Sequence, residues 1–334
     1  MMWKRMRYAL SCCVAAAMLA GCGGSQPPIG APGAMPQAAA TATHADRGKS
    51  WMLSEAKSED LLYVSAYVNH VYVYSYPKGK LVGRLHLSNK VESICSDEQG
   101  NIWVPVFNST YYRSKVLKFA HGGKNPIASV DDGGALPAGC SVSPITGDLA
   151  VANYCKSSGG GTCDTTGDVA VYAQATGSPK TYISRHMGTN FSCDYDDKGN
   201  LFVVGTAHYG AFNLAELPFG KSQPKDITIN QAGLYSPVFV QWDGKHVAIG
   251  SFGGSSPTIY AFAIKGANGT EVGSTTLGDT TYLEQFIFDG KNVIVPGSES
   301  GNVAVYKYPG GGSAVQSIGV ANPLSVALSV AVGK

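Results

Sequence analysis

The sequence predicts an all-β fold built from repeated four-stranded units, and three observations predict it. The first is composition. Forty-two glycines and 18 tyrosines against only 14% charged residues favour short strands joined by tight turns, because glycine supplies positive φ and tyrosine packs well on a pleated surface. The second is a recurring hairpin of two apolar strands. The third is a recurring alternating strand that ends on an aromatic residue or leucine: Val71 to Tyr74, Val116 to Phe119, Val169 to Tyr172, Leu214 to Leu217, Ile259 to Phe262 and Val303 to Tyr306. The last residues of these six stretches stand 45, 53, 45, 45 and 44 positions apart. A period near 45 with four short strands per unit is the size of a propeller blade, so the expected fold is a six-bladed β-propeller.

From the N-terminus, Lys4, Arg5 and Arg7 precede an apolar stretch, Tyr8 to Ala20. It is shorter than the roughly 18–20 residues that span a bilayer, and has signal-peptide geometry. The stretch ends Leu19-Ala20-Gly21-Cys22, which resembles the lipobox of bacterial lipoproteins. That resemblance implies cleavage after residue 21 and lipidation of Cys22 by a diacylglyceryl group and further acyl chains such as palmitate. At about 0.8 kcal/mol per buried methylene, several chains anchor a protein firmly. An ordinary secretory signal with a chance cysteine is the plain alternative. Gly23 in place of Asp implies, in a Gram-negative cell, the outer membrane, facing periplasm or exterior; the expected location is the cell envelope.

Residues 22–58 hold Pro27, Pro28, Pro32 and Pro36 and lack apolar periodicity, so they read as a disordered tether. Residues 59–334 remain for the propeller. Without the three basic residues of the leader the chain carries 22 basic and 23 acidic residues. That balance leaves no electrostatic footprint for nucleic acid. The expected partners are the lipid bilayer, through acylated Cys22, and an unknown protein, glycan or small-molecule ligand; a monomer is expected.

Within the propeller the hairpins are Ser93 to Val104, Cys140 to Val151, Ser192 to Val204, Val238 to Ile249 and Phe286 to Val295. Their turns are Gly100-Asn101, Gly147-Asp148, Gly199-Asn200, Gly244-Lys245 and Gly290-Lys291, a chemistry that favours tight β-turns. Five hairpins stand against six outer strands, and the termini supply the missing one. Leu61 to Tyr67 has the pattern of a blade's second strand and Leu324 to Val330 that of a first, so their pairing would close the circle and remove an open sheet edge.

The pattern of apolar strand, Asp, Gly-Asn, second strand ending in Val, gap and aromatic-ended third strand resembles the NHL repeat and the propellers of the gluconolactonase class. The best matches run from Ile94 to Phe119, with Asp97, Gly100, Asn101 and Val104, and from Cys193 to Leu217, with Asp196, Gly199, Asn200 and Val203. The arginine that often precedes the third strand of NHL repeats is mostly missing. The gluconolactonase resemblance implies calcium or another divalent cation at the channel mouth, held by oxygen ligands, for which this chain offers Glu92, Asn153, Asn190 and Glu284. It lacks that family's opening Glu-Gly-Pro motif and an Asp at the general-base place. Other polar residues expected at the mouth are Gln285, Asn69, His70, Asn108, His208 and Glu299. His44, His86, His121, His186 and His246 are scattered without ligand spacing.

Five cysteines lie beyond Cys22. Cys155 and Cys163 flank a Gly-rich polar insert that accounts for the step of 53, and in an exported chain a disulfide closing this loop is expected, with free thiols on a mobile loop as the alternative. Cys95, Cys140 and Cys193 fall at or near equivalent places in the innermost strands of three successive units and should lie near one another around the axis. Small residues filling a narrow channel is the reading preferred over a thiolate metal site, whose usual spacing is missing. No Gly-x-Ser-x-Gly elbow, phosphate loop or Cys/His nucleophile pair appears. The expected function is therefore a membrane-anchored, non-catalytic binding scaffold, with a divalent-cation-dependent lactonase as the alternative.

Overall fold

The computed structural model describes residues 48–331, except 67–68, 112, 134, 157–164, 208–211, 230–233, 235–236, 252–255 and 298. The leader, Cys22, the tether up to residue 47, Tyr67, Cys163, His208 and His44 lie outside the described residues. Contacts divide the chain into Met1–Ala39 and Ala40–Lys334, and every described strand belongs to the second unit.

The strands form antiparallel four-stranded meanders in chain order. The first meander joins Asp60–Ala66, His70–Tyr76 and Lys80–His86 to the C-terminal strand Pro323–Ser329. The predicted closure is present: Leu61 pairs with Ser329, Leu62 with Leu328 and Val64 with Val326. Around this junction His121 contacts the Ser329 hydroxyl through Nδ1 at 2.6 Å and the Glu59 carbonyl through Nε2 at 3.0 Å. The second meander is Cys95–Ser96, Ile102–Asn108, Arg113–Phe119 and Pro126–Asp131; the third is Ala135–Val142, Leu149–Lys156, Val169–Tyr172 and Lys180–Tyr182. The fourth is Thr189–Tyr195, Leu201–Thr206, Phe212–Leu217 and Lys225–Ile229, and the fifth is Pro237–Trp242, Val247–Ser251, Thr258–Lys265 and Asn268–Thr276. The sixth comprises Ile287–Asp289, Asn292–Gly297, Asn302–Lys307 and Gly311–Gly319.

Separate four-stranded sheets were the expectation, and the structure differs. The fourth and fifth meanders form one eight-stranded sheet, because Lys225–Ile229 pairs in parallel with Asn268–Thr276 through Thr228 with Asn268 and Ile229 with Gly269. The hairpin of the fifth meander is long enough for its turn to reach its neighbour's edge. Gly269 permits the approach, since a Cβ there would stand 3.3 Å from Ile229 and 3.1 Å from Ile264.

Period-two alternation sends the two faces of each strand to different neighbours. Leu61 and Tyr63 pack with Val104 and Phe119 of the second meander, whereas Leu62 and Val64 pack with Ile294 and Val305 of the sixth. The same arrangement joins second to third around Trp103 and Tyr172, third to fourth around Ala152 and Val203, fourth to fifth around Val204 and Phe262, and fifth to sixth around Ala248 and Tyr306. The sheets are thus arranged like those of a propeller. The predicted turns recur as well: Asp97 accepts the Asn101 backbone N–H at 2.8 Å, Asp196 accepts that of Asn200 at 2.8 Å, and Gly100 sits at φ +75°. A side chain at Gly100 would also collide with the Val330 carbonyl.

Candidate functional site

The innermost strands of all six meanders line one axial pocket of about 190 Å³. Its wall includes Cys95, Asp194, Trp242, Gln285, Phe288 and Val326. Asp194 is a carboxylate inside an apolar strand, and burial pushes its pKa up to about 6 against the hydrogen bonds that favour its charge. Those bonds come from the Ser141 hydroxyl to Oδ1 at 2.6 Å and the Trp242 backbone N–H to Oδ2 at 2.7 Å. Gln285 ties two strands together: its Nε2 donates to the Ile94 carbonyl at 3.3 Å, and its Oε1 accepts the Val326 N–H at 3.0 Å. The indole N–H of Trp242 is buried without a hydrogen-bond partner.

The cysteines on the axis require a correction. Cys95 and Cys140, expected to be small space-fillers, form a disulfide between the second and third meanders, with Cα atoms 5.7 Å apart and a sequence separation of 45. That separation is one repeat, which is why equivalent positions of adjacent innermost strands come within bonding distance. Cys193 is a free, buried thiol, and burial pushes its pKa up. Cys155 is disulfide-bonded; its expected partner, Cys163, lies outside the described residues.

Of the four residues offered for a cation, Asn153 and Asn190 come together. Both are buried, and Asn190 Nδ2 donates to the Asn153 carbonyl at 3.2 Å. Glu92 is engaged by Lys90 at 3.0 Å, and Glu284 is half-buried ahead of the sixth meander. Among the described residues no group of three or more His, Cys, Asp or Glu side chains is placed to hold a metal ion. Of the other polar residues expected at the mouth, Asn108 Oδ1 accepts the N–H groups of Thr110 and Tyr111 at 3.0 and 3.1 Å, and Glu299 accepts the Thr281 hydroxyl at 3.2 Å. His70, expected at the mouth, and His86 face each other across a strand pair with ring centroids 4.9 Å apart. Burial, Arg84 and His86 together lower the His70 pKa.

Sequence inspection missed Asp194, although an Asp between Cys193 and Tyr195 in an apolar strand was a visible signal. It also missed Asp132 and Asp168, which join Asn153 in a polar cluster between the second and third meanders: Asn153 Nδ2 donates to Asp168 Oδ1 at 2.9 Å and reaches Asp132 Oδ1 at 3.5 Å.

Among solved structures, that of a nidogen/laminin complex matches with a TM-score of 0.60, at 10% identity over 81% of this chain and 98% of that chain. The fold is a β-propeller. A protein of unknown function from Bacteroides caccae matches the propeller with a TM-score of 0.58, at 10% identity over 81% of this chain and 99% of that one. A functionally unknown protein from Desulfotomaculum acetoxidans matches with a TM-score of 0.53, at 10% identity over 82% and 99%. No protein-family model matches the chain, and no curated protein does.

Proposed function

We propose that this chain is an exported lipoprotein, held in the cell envelope by acyl chains on Cys22, whose meanders act as six blades of a non-catalytic scaffold that docks a protein partner. The lipobox-like Leu19 to Cys22 supports the anchor, and the six apolar cores that link each meander to the next support the blade count. Cys163 is the proposed partner of Cys155.

The observation that carries the scaffold reading is a contrast between axis and rim. On the axis the carboxylate of Asp194 and the amide of Gln285 are engaged by the fold's own groups. On the rim, Ile145 and Phe219 are each 54% exposed and both lie against Gly199, where an added Cβ would stand 3.5 Å from Ile145 and 2.9 Å from Phe219. Adjacent exposed apolar side chains mark docking points on soluble surfaces. The propeller fold suits such a role, and the nidogen structure is that of a complex with laminin.

A photoreactive residue in place of Phe219, in the full-length chain in its own cells, is expected to give a discrete protein adduct, while the same residue in place of exposed Val315 gives none. Adducts at neither position would sink the docking reading. Labelled palmitate is expected in the wild-type chain and not in Cys22→Ser; equal labelling would refute the anchor. Calcium titration under thermal melting separates the lactonase alternative. A saturable rise in Tm that Glu92→Ala abolishes would move the assignment to the enzyme, and no response is expected of the scaffold.

A further inference from the structure

Away from the axis, a second pocket of about 290 Å³ opens between the second and third meanders. Asp131, Asp132, Asn153, Lys156 and Asp168 line it. Asp132, Asn153 and Asp168 are each at least nine-tenths buried, at 5%, 1% and 0% exposure. Among the described residues that line the pocket there are three carboxylates and one ammonium group. Lys156 forms an ion pair with Asp168 Oδ2, while Asp132 receives the hydroxyls of Tyr172 at 2.8 Å and Ser114 at 3.3 Å.

The amide of Asn153 adds an independent observation. Its Nδ2 points at the two buried carboxylates, and its Oδ1 is buried without any hydrogen-bond partner. An orphaned buried acceptor costs about 1–3 kcal/mol, and a donor that reaches it recovers that cost. Among the described residues that line the pocket, carboxylates outnumber ammonium groups and the Asn153 oxygen is short of a donor. An anion would meet an uncompensated excess of carboxylates.

We propose that this pocket is a receptor site for a small organic cation carrying ammonium groups, held by Asp132, Asp168 and the side-chain oxygen Oδ1 of Asn153, with Lys156 as a built-in competitor. The volume favours an organic molecule over a bare ion, since a single water occupies only about 30 Å³ of liquid. The chain already demonstrates the chemistry, because its own ammonium occupies one side of the site. A side chain of Lys156 that swings outward, being partly exposed, vacates Asp168 for an incoming ammonium. The site lies apart from Ile145 and Phe219, so its failure would leave the docking reading standing.

Isothermal titration calorimetry of the full chain in detergent tests this, with putrescine as the probe and glucose and calcium chloride as comparators at matched ionic strength. Saturable putrescine binding is expected, with none for glucose. Lys156→Gln is expected to tighten it several-fold by removing the competitor, and Asp168→Asn to weaken it by about tenfold or more. Lys156 is exposed enough for its variant to fold even if the Asp168 variant does not. Binding that Lys156→Gln weakens or leaves unchanged would overturn the proposal. So would the absence of putrescine binding, or a response to calcium alone, which would reassign the site to a metal with the Asn153 amide reversed.

Discussion

Asp194 on the axis and Asp132 in the pocket between meanders are both buried carboxylates pushed up to about 6 by burial, yet they sit in opposite settings. Around Asp194 the walls are stitched together by the Cys95–Cys140 bond and by Gln285, and the carboxylate is held by a hydroxyl and a backbone N–H. Around Asp132 a second buried carboxylate, Asp168, lies close by, and Asn153 keeps an unsatisfied oxygen. The difference teaches that burial and a raised pKa alone do not mark a ligand site. What distinguishes the pocket is the sign of what remains after the fold's own partners are counted: an acceptor without a donor beside carboxylates, where the axis keeps a donor without an acceptor, the Trp242 indole N–H.

The largest effect should come from opening the axis. The Cys95–Cys140 bond closes a loop of 45 residues, for which chain entropy predicts about 4 kcal/mol. The double variant Cys95→Ser/Cys140→Ser should lose about that much in urea unfolding, and a loss below about 1 kcal/mol would mean that the channel wall is held by packing alone. Next comes Asp132→Ala, which removes the buried carboxylate that takes the Tyr172 hydroxyl at 2.8 Å and the Ser114 hydroxyl at 3.3 Å. Its expected cost is about 2–3 kcal/mol by chemical denaturation.

A third, smaller effect concerns acid. A carboxyl group whose folded pKa lies above its unfolded value costs stability when both states are ionised, and that cost is relieved as pH falls through the folded pKa. For Asp194 the relief should develop between about pH 7 and pH 4. The wild type should therefore gain more stability across that window than Asp194→Asn, as read from Tm at each pH. Equal pH dependence would show that folding does not raise the Asp194 pKa above its unfolded value.

Much of the ring was legible in the chain because it is local. The Gly-centred hairpins and aromatic-ended third strands are set by turn chemistry and alternation, and the closure of Leu61 and its neighbours on Pro323–Ser329 followed from one missing hairpin. The fused sheet was not legible, since a parallel contact at Thr228 and Ile229 depends on how far a neighbouring hairpin overhangs. The Cys95–Cys140 bond was within reach, because their separation equals the repeat, but three thiols at that spacing fit a filled channel equally well. The pocket was harder still. Asp132 follows the last strand of one meander and Asp168 precedes the third strand of the next, so no sequence pattern joins them, and only the packing of two sheets does.

The outermost edge of the first meander has a mechanical consequence. Trp51–Met52 is a strand of two residues laid against Gly83 and Arg84, and Gly83 has no side chain that could collide with Met52. The next strand in sequence, Asp60–Ala66, is clamped on both sides by longer ladders. A pull on the chain ahead of Trp51 loads the short pairing first, peels it away and releases slack before any force reaches the ring: the edge is a fuse, and the closure behind it is what the fuse protects.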